Sequence, residues 1–551
     1  MASMTAASST SSMSALYASE GRRSEHAAAD VVRHWTWLGW TAFGGPTAHL
    51  ALFEKVFVQS LGWFSAANFA ELVAVASALP GPTSTQVSFA AGLVRGEGSI
   101  ACGILSGLLF QYPGLFLMAI VGSIYAKLAP HALTGAARAT SLGGAAAGVA
   151  LVFLAVRSLA KKVCKGQRQA SIAVVVAAIG ILQLTSAGVL YPLMIVGGGV
   201  AELLGARLVM YAKMRKNSER EDTLIAISDD ATMRDGLLIS RGHETAAADE
   251  CGAHEAGGDN DAGRQVSGLV SFVDGGGGSS SEHLHGVSLG MGAVLLSIWA
   301  IVLMASLVSV KFIAYETAPA VHWFSTFYKA GSLTFGGGHV VLPLLMDDIT
   351  GKQTHLVTNC TSGILHANDA IGSTYLHLNT TYASDMSMGA MPSNSTTPDA
   401  CGWVTTEQFL FGLAVVQAMP GPLFNLSAFL GAVMAIRAHV NIVVGIAAAW
   451  VGLFSPGILL IFAASAFWSR ARNIAVYKDM LPGMNAAAVG LIMIACYTMY
   501  TQVSALSPRP GISTALGLVA AAAIDIYAAP APLVIVTGSL LSLGLYLLGL
   551  W

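Results

Sequence analysis

The chain contains the sequence WFSAANFAELVAVASALPGP at 63–82 and a second version of it, WVTTEQFLFGLAVVQAMPGP, at 403–422. The two stretches place Trp, Phe, Ala-Val and Pro-Gly-Pro at a constant offset of 340 residues. Upstream, TAFGGP at 41–46 matches LTFGGG at 333–338, and downstream YPG at 112–114 matches SPG at 455–457. Three landmarks in the same order indicate that the chain consists of two homologous halves.

The composition around this repeat is that of a membrane protein. Of 551 residues, 54% are hydrophobic and only 11% are charged, against roughly 25% charged in an average soluble domain. The apolar runs are long enough for spans of ~20 residues and too continuous for barrel strands, which alternate with a period of two. We therefore expect an all-α polytopic membrane protein. The net charge of -2 offers no basic surface for nucleic acid.

The polar segments divide the chain into parts. Residues 1–30 are predicted to be a disordered tail, and 31–211 and 287–551 form the two halves. Between them, 212–286 is rich in acidic residues, Gly and Ser and is predicted to be a disordered linker. Lysine and arginine at 213–216 place this linker in the cytoplasm by the positive-inside rule.

A second polar insert, 347–402, interrupts the second half. It carries three glycosylation sequons, at Asn359, Asn379 and Asn394, which indicate a luminal or extracellular loop. The plasma membrane or another membrane of the secretory pathway is therefore expected rather than an organelle envelope. Cys360 and Cys401 bracket the insert and either form a disulfide or are two unrelated thiols. The cysteines lack metal-ligand spacing, so no metal and no cofactor is expected.

Four Gly/Pro breaks interrupt the apolar runs, at Gly44–Pro46, Pro80–Pro82, Gly336–Gly338 and Pro420–Pro422. Proline removes a backbone donor, so a helix cannot continue through Pro-Gly-Pro. Paired breaks in a repeated membrane protein are typical of transporters with inverted halves, whose substrate binds at the breaks. A new helix N-terminus there attracts anions. The alternative is that the breaks are structural kinks and close helix contacts.

The candidate residues follow from these breaks. Substrate-binding candidates are the break residues and polar or basic residues near them: Gly44, Gly45, Pro46, Gly81, Ser84, Gln86, Lys329, Gly336, Gly337, Gly338, Gln417, Gly421 and Asn425. The helix-breaking prolines are Pro80, Pro82, Pro420 and Pro422. Ionisable residues in or beside the spans are the candidates for proton coupling: His49, Glu54, Glu71 and His339. The histidines could instead donate one structural hydrogen bond each, and Glu54 could lie at the membrane interface.

These motifs resemble the chromate ion transporter family. The first-half match consists of Phe43 to Pro46, His49, Glu54, Trp63, Leu79 to Pro82 and Gln86. The second-half match consists of Lys329, Phe335 to His339, Leu342 to Leu344, Asp348, Trp403, Gln417 and Pro420 to Pro422. The resemblance covers roughly 32–165 and 320–500. It departs from the family at Ser77, where the family usually has Gln, and in the linker and the insert, which are unlike compact bacterial members and fit a long, eukaryotic two-domain member.

The resemblance implies a secondary transporter of chromate, with sulfate as a similar anion, driven by the proton motive force. It also implies halves that are inverted in the membrane, and a homodimer is possible. A passive anion channel or a sulfate importer of the same architecture remains an alternative. A membrane enzyme is a remote one, because no redox-cofactor, Cys-x-x-Cys or serine-nucleophile motif is present.

Overall fold

The computed structural model describes residues 26–128, 135–182, 187–238, 287–334, 345–350, 403–471 and 474–551. Every regular element in these ranges is a helix, which confirms the all-α prediction. The first-half helices are α1 (26–41), α2 (Gly45–Phe53), α3 (Ala66–Ala78), α4 (Thr83–Arg95), α5 (Ile100–Leu128), α6 (Gly135–Val163), α7 (Gln167–Leu182) and α8 (Ala187–Leu238). The second-half helices are α9 (Leu289–Phe312), α10 (Pro319–Leu333), α11 (Thr406–Ala418), α12 (Leu426–Arg437), α13 (Ile442–Ala471), α14 (Ala475–Leu506), α15 (Pro510–Tyr527) and α16 (Ala531–Leu547). Three short elements complete these helices: the π-helix Glu54–Ser60, a helical segment at 345–349 and the 3₁₀ turn Leu423–Asn425.

Seven helices in the described part of the chain are long and apolar enough to cross a membrane. They are Ile100–Leu128, Gly135–Val163, Leu193–Lys216, Leu289–Phe312, Ile442–Phe467, Val476–Leu506 and Pro510–Tyr527. Their outer faces carry large exposed apolar side chains, such as Ile301 of α9 and Leu518 of α15. Exposed apolar surface of this extent matches a hydrocarbon environment rather than water.

Two pairs of shorter helices replace full spans in the two halves. The helices α3, α4 and α11 each have 13 residues, and α12 has 12. At 1.5 Å per residue each is about 20 Å long, which is less than the ~30 Å hydrocarbon core. The predicted broken helices are therefore confirmed. Both α3 and α11 begin at equivalent caps, since Ser65 Oγ accepts the Asn68 N–H (3.1 Å) and Thr405 Oγ1 accepts the Gln408 N–H (3.2 Å).

The two halves interlock through reciprocal helix contacts. Helix α6 of the first half packs against α15 and α16, and α14 of the second half packs against α7. A Cβ on Gly143 of α6 would lie 2.5 Å from the Gly538 carbonyl oxygen of α16. A Cβ on Gly483 of α14 would lie 2.2 Å from the Gly198 carbonyl oxygen of α8. These two contacts are related by the offset of 340 residues. Glycine is required at both because any side chain would hold the backbones apart.

The structure differs from the sequence prediction at two boundaries. Helix α8 continues to Leu238, so 212–238 are helical although a disordered linker was predicted from residue 212. The reason is local, since no Gly or Pro occurs between 206 and 235 to end the helix. Leu204–His283 forms a compact unit of its own, and its residues 239–283 lie outside the described residues.

The predicted tail also ends earlier than expected. Residues 26–30, assigned to the tail, are the first residues of α1. Asp30 forms an ion pair with Arg95, and His26–Ala29 contains three alanines, which favour a helix. Residues 1–25 lie outside the described part of the chain.

Candidate functional site

The two Pro-Gly-Pro breaks adopt closely similar backbone conformations. Leu79 and Met419, which end α3 and α11, are both extended, with ψ of 153° and 155°. Gly81 and Gly421 follow with φ of +121° and +91°. Positive φ of this size is accessible to glycine and strained for other residues. Glycine therefore stands between the two prolines because the chain must turn there.

Each Pro-Gly-Pro break is hydrogen-bonded to the opposite half of the protein. The Gly81 N–H donates to the Thr334 carbonyl, and the Gly421 N–H donates to the Ala42 carbonyl, both at 2.8 Å. Ala42 and Thr334 directly precede the Phe-Gly-Gly segments of their own halves. Each Pro-Gly-Pro break therefore bonds to the residue that directly precedes the Phe-Gly-Gly segment of the other half, so the two contacts cross between the halves.

Two buried side-chain amides reinforce this junction. Gln86 Nε2 donates to the Pro80 carbonyl (2.8 Å) and to the Gly457 carbonyl of α13 (3.3 Å). Asn425 Nδ2 donates to the Gln111 carbonyl of α5 (3.1 Å). Each amide thus joins the start of a half-helix to the long, proline-containing helix of the other half.

A cavity of about 390 Å³ lies beside the crossed breaks. Its walls include the Gly44–Pro46 break and Gly421, so residues from both halves form it. Helices α6 and α14 contribute most of the apolar wall, through residues such as Leu154 and Ile492. Its polar side chains are Ser77, Thr83, Ser158, Gln417 and Asn485. The described residues that line it include no charged side chain.

The beginning of α4 gives this cavity an electropositive end. Thr83 is the first residue of α4 and lines the cavity, and the preceding Pro82 provides no side-chain cap. The first N–H groups of a helix have no intrahelical acceptor, and the helix dipole adds about half a positive charge there. The cavity can therefore offer hydroxyl and amide donors to an anion beside the positive end of a helix dipole, without a fully charged side chain among the described lining residues.

Comparison with known protein families shows to which family the chain belongs. The family model described as "Chromate transporter" matches residues 29–203 and 395–543, more than half of the chain. The chain belongs to the chromate transporter family. It is also similar to a chromate transport protein of Pseudomonas aeruginosa, with 24% identity over 500 residues that cover 89% of this chain and 85% of the relative. No solved structure matches the chain significantly.

This family membership confirms the resemblance seen in the sequence motifs. Together with the seven apolar helices, it identifies an integral, multi-pass membrane protein of a transporter family and not an enzyme. The two matched regions agree with the duplication, and 204–394, with the linker and most of the insert, lies outside them.

Five of the predicted substrate-binding residues in this member of the family line the cavity. They are Gly44, Gly45, Pro46, Gln417 and Gly421. Ser84, Gln86 and Asn425 are at most 1% exposed and do not line it. The amide donors of Gln86 and Asn425 are directed at protein carbonyls instead.

His49 is packed in the interior of the protein, next to the first turn of α4. It is completely buried, its Nδ1 is 3.2 Å from Ser84 Oγ, and its ring meets Phe110 edge to face at 5.4 Å. Glu54 begins the π-helix and Glu71 lies in α3. None of the three lines the cavity, and their assignment to proton coupling stays a prediction.

Lys329 forms an ion pair across the second-half break. Its Nζ lies 2.7 Å from Asp348 Oδ2, and the Asp348 side chain is only 2% exposed. The residues between them that were predicted to bind substrate or a proton, Gly336 to His339, lie outside the described residues. So do the sequons at Asn359, Asn379 and Asn394 and the cysteines Cys360 and Cys401.

The sequence motifs do not include every polar residue that lines the cavity. Ser158 and Asn485 belong to α6 and α14, outside the quoted repeat landmarks. Their only sequence signal is a polar side chain within an apolar run. In the sequence Ser77 stands out only as a departure from the family, and it lies at the position equivalent to Gln417. Both members of this pair face the same cavity.

Proposed function

We propose that the cavity binds chromate or a sulfate-like tetrahedral oxyanion, and that the chain carries this anion across the membrane with energy from the proton motive force. One observation supports this most strongly. The cavity is bounded by breaks from both halves and touches the uncapped N-terminus of α4. Binding at such a position contacts both halves at once.

The lining suits a tetrahedral oxyanion because it provides several donors around a small space. Ser77, Ser158 and the amides of Gln417 and Asn485 can donate to separate oxygens of one anion. The lack of a charged side chain in the described lining keeps the affinity moderate, and a transporter must release its substrate. Chromate and sulfate share shape and charge, so these donors fit both.

The crossed backbone hydrogen bonds support movement of one half against the other. Each break is tied to the opposite half by one backbone N–H···O=C bond, at Gly81 and at Gly421. Transporters with internal repeats alternate access by rocking such repeats around a fixed site. We infer that the crossed breaks are the points about which the halves move, in orientations that are inverted in the membrane.

Flux into liposomes tests this proposal directly. Purified protein is expected to accumulate radiolabelled sulfate or chromate in a saturable manner, and more strongly when a pH gradient is imposed. Anion currents without gradient-driven accumulation would instead establish a passive channel. The absence of any oxyanion flux under either condition would refute the function.

Two hydroxyl residues of α6 provide a matched test of the cavity. Ser158 lines it, whereas Thr140 lies elsewhere on α6 and donates to the Ala136 carbonyl of its own helix (2.7 Å). We expect Ser158→Ala to weaken oxyanion binding and Thr140→Ala to leave it at the wild-type value. Equal effects of the two substitutions would exclude the cavity as the binding site.

The sequons support a place for this transporter in the plasma membrane or another membrane of the secretory pathway. Glycosylation of the 347–402 insert would put the insert on the luminal or extracellular side and the linker in the cytoplasm.

A further inference from the structure

A groove separate from the central cavity opens on the outer surface of the protein. It has a volume of about 460 Å³ and is formed by α6, α14 and α15, with Ile181 of α7. Among the described residues it shares no lining residue with the central cavity. The lining side chains of Phe153, Tyr497 and Leu518 are 53%, 48% and 69% exposed. The groove is therefore continuous with the apolar surface that faces hydrocarbon, and a molecule can enter it from the membrane.

The length of the groove matches one leaflet of a bilayer. Its α14 wall runs from Met493 to Ser504 and its α6 wall from Ala146 to Val156, which at 1.5 Å per residue are about 17 and about 15 Å long. One leaflet contributes about half of the ~30 Å hydrocarbon core. A volume of about 460 Å³ over this length gives a mean cross-section of about 27 Å², about a third of that of a helix 10 Å in diameter. The groove therefore fits a single extended chain rather than a helix.

The two ends of the groove differ in polarity. Phe153, Val156 and Met493 make one end apolar. The other end carries four hydroxyl side chains: Tyr500, Ser504, Ser513 and Thr514. This hydroxyl end lies at the membrane surface, because the apolar helices α14 and α15 end at Leu506 and begin at Pro510 beside it. A phospholipid has the same order of groups, with ester oxygens near the surface and an acyl chain below them.

The hydroxyl end can also bind the polar part of a lipid. Tyr500 Oη lies 3.3 Å from Thr514 Oγ1, and Thr514 itself donates to the Pro510 carbonyl (2.9 Å). An O–H···O bond is usually about 2.7–2.8 Å long, so Thr514 holds the Tyr500 hydroxyl only weakly. Arg509, in the link between α14 and α15, adds an exposed cation at this end. Its Nη1 donates to the Leu550 carbonyl (2.9 Å), which leaves other guanidinium donors for a phosphate.

We propose that this groove is a phospholipid-binding site. One acyl chain lies between α6, α14 and α15, an ester oxygen accepts the Tyr500 hydroxyl, and the phosphate lies at Arg509. The lipid stays bound as part of the fold instead of exchanging as freely as the lipids around the other helices.

Photo-cross-linking in nanodiscs tests the proposal. The full chain is embedded in phosphatidylcholine with a small fraction of phosphatidylcholine that carries a diazirine in the middle of one acyl chain. After irradiation, mass spectrometry maps the attachment sites. We expect adducts on groove residues such as Phe153 and Met493 at several times the yield on the exposed face of α9, around Ile301, which is 66% exposed. Equal yields at the two places would show ordinary contact with bulk lipid and would overturn the proposal.

A substitution that fills the groove provides the second test. The nearest atom to a Cβ on Gly517 of α15 would be the Ala146 carbonyl oxygen, at 3.4 Å, which is an ordinary contact. Gly517→Leu is therefore expected to abolish the groove adducts and to leave the yield on α9 unchanged, which also reports that the protein is folded. Gly197→Leu is the matched control on α8, because Gly197 is exposed outside the groove and a Cβ there would meet nothing within 4 Å. It should keep the wild-type groove yield.

Tyr500→Phe tests the hydroxyl end without changing the shape of the groove. Loss of one hydrogen bond within a membrane is expected to lower the yield of groove adducts about threefold. Tyr527→Phe is the control, because Tyr527 is 79% exposed on α15 and does not line the groove. An unchanged groove yield in Gly517→Leu or in Tyr500→Phe would overturn the proposal. Absence of groove adducts in a wild-type protein that is dimeric in the nanodisc would assign the groove to a second copy of the chain and would overturn it equally.

Discussion

Asn425→Ala distinguishes a structural amide from a substrate ligand. Asn425 is fully buried, its Nδ2 donates to the Gln111 carbonyl (3.1 Å), and its Oδ1 accepts the Trp450 Nε1–H (3.3 Å). Alanine removes both bonds, so the Gln111 carbonyl of α5 loses its contact with the other half and the partly buried Trp450 indole N–H loses its acceptor. We therefore expect the substitution to destabilise the protein rather than to act on substrate binding alone.

The size of the effect follows from the two lost bonds. Each orphaned buried group costs about 1–3 kcal/mol in water-soluble proteins, whereas hydrogen bonds between membrane helices average ~0.6 kcal/mol. Two bonds therefore give a loss of roughly 1–6 kcal/mol in the free energy of unfolding. That range is large enough to lower the thermal midpoint measurably.

The assay compares this variant with one that faces the cavity. Gln417 lines the cavity and, among the described residues, its side chain bonds within its own helix α11, to the Leu413 carbonyl (3.3 Å). Gln417→Ala is expected to keep the wild-type unfolding midpoint in detergent and to weaken sulfate binding. Asn425→Ala is expected to lower the midpoint and to weaken binding less than Gln417→Ala in the fraction that remains folded. A wild-type midpoint together with lost binding in Asn425→Ala would refute the structural assignment.

Three further substitutions extend these expectations. Gly81→Ala should lower the unfolding midpoint, because φ of +121° costs about 1–3 kcal/mol for a residue with a Cβ. Gly197→Ala is the matched control for thermal unfolding, since a Cβ on Gly197 would meet nothing within 4 Å. Ser77→Gln should tighten sulfate binding in equilibrium assays, because it supplies a second amide opposite Gln417 in a cavity of about 390 Å³; weaker binding would show that the space is already filled. Substitution of the three sequon asparagines in the 347–402 insert by Gln should remove glycosidase-sensitive mass in three steps on a gel, and an unshifted wild-type band would contradict a luminal insert.

The repeat and its breaks could be predicted from sequence because their causes are local. Proline lacks a donor and glycine alone adopts the φ seen at Gly81 and Gly421 without strain, so the residue types themselves mark the turns. The partners of Gln86 and Asn425 could not be predicted. Their acceptors are backbone carbonyls, 371 and 314 residues away, and any residue type can provide a carbonyl.

The cavity was only partly predictable for a similar reason. Gln417 and the Gly44–Pro46 break belong to recognisable motifs. Ser158 and Asn485 are single polar residues on long apolar helices, where a hydroxyl or amide can equally bond its own helix. Only the packing of α6 and α14 around the breaks shows that they face the cavity.

The two halves form the same structural tie from positions that are not equivalent. Gln86 lies five residues after Gly81, and the second-half residue at that position is Leu426. Asn425 lies four residues after the second-half glycine, and Thr85 occupies its first-half position. Both amides nevertheless donate to a carbonyl of the long proline-containing helix in the other half. The contact is therefore retained although the residue that makes it differs, as expected of a bond that the fold requires.

Inside the cavity, by contrast, two equivalent positions hold different side chains. Ser77 and Gln417 are related by the offset of 340 residues and face one shared space. A hydroxyl on one side and an amide on the other make the lining asymmetric although the backbone around it is duplicated. A tetrahedral anion in this space meets a longer donor from the second half than from the first. Differences between chromate and sulfate affinity should therefore follow substitutions at Ser77 and Gln417 more closely than substitutions at the buried amides.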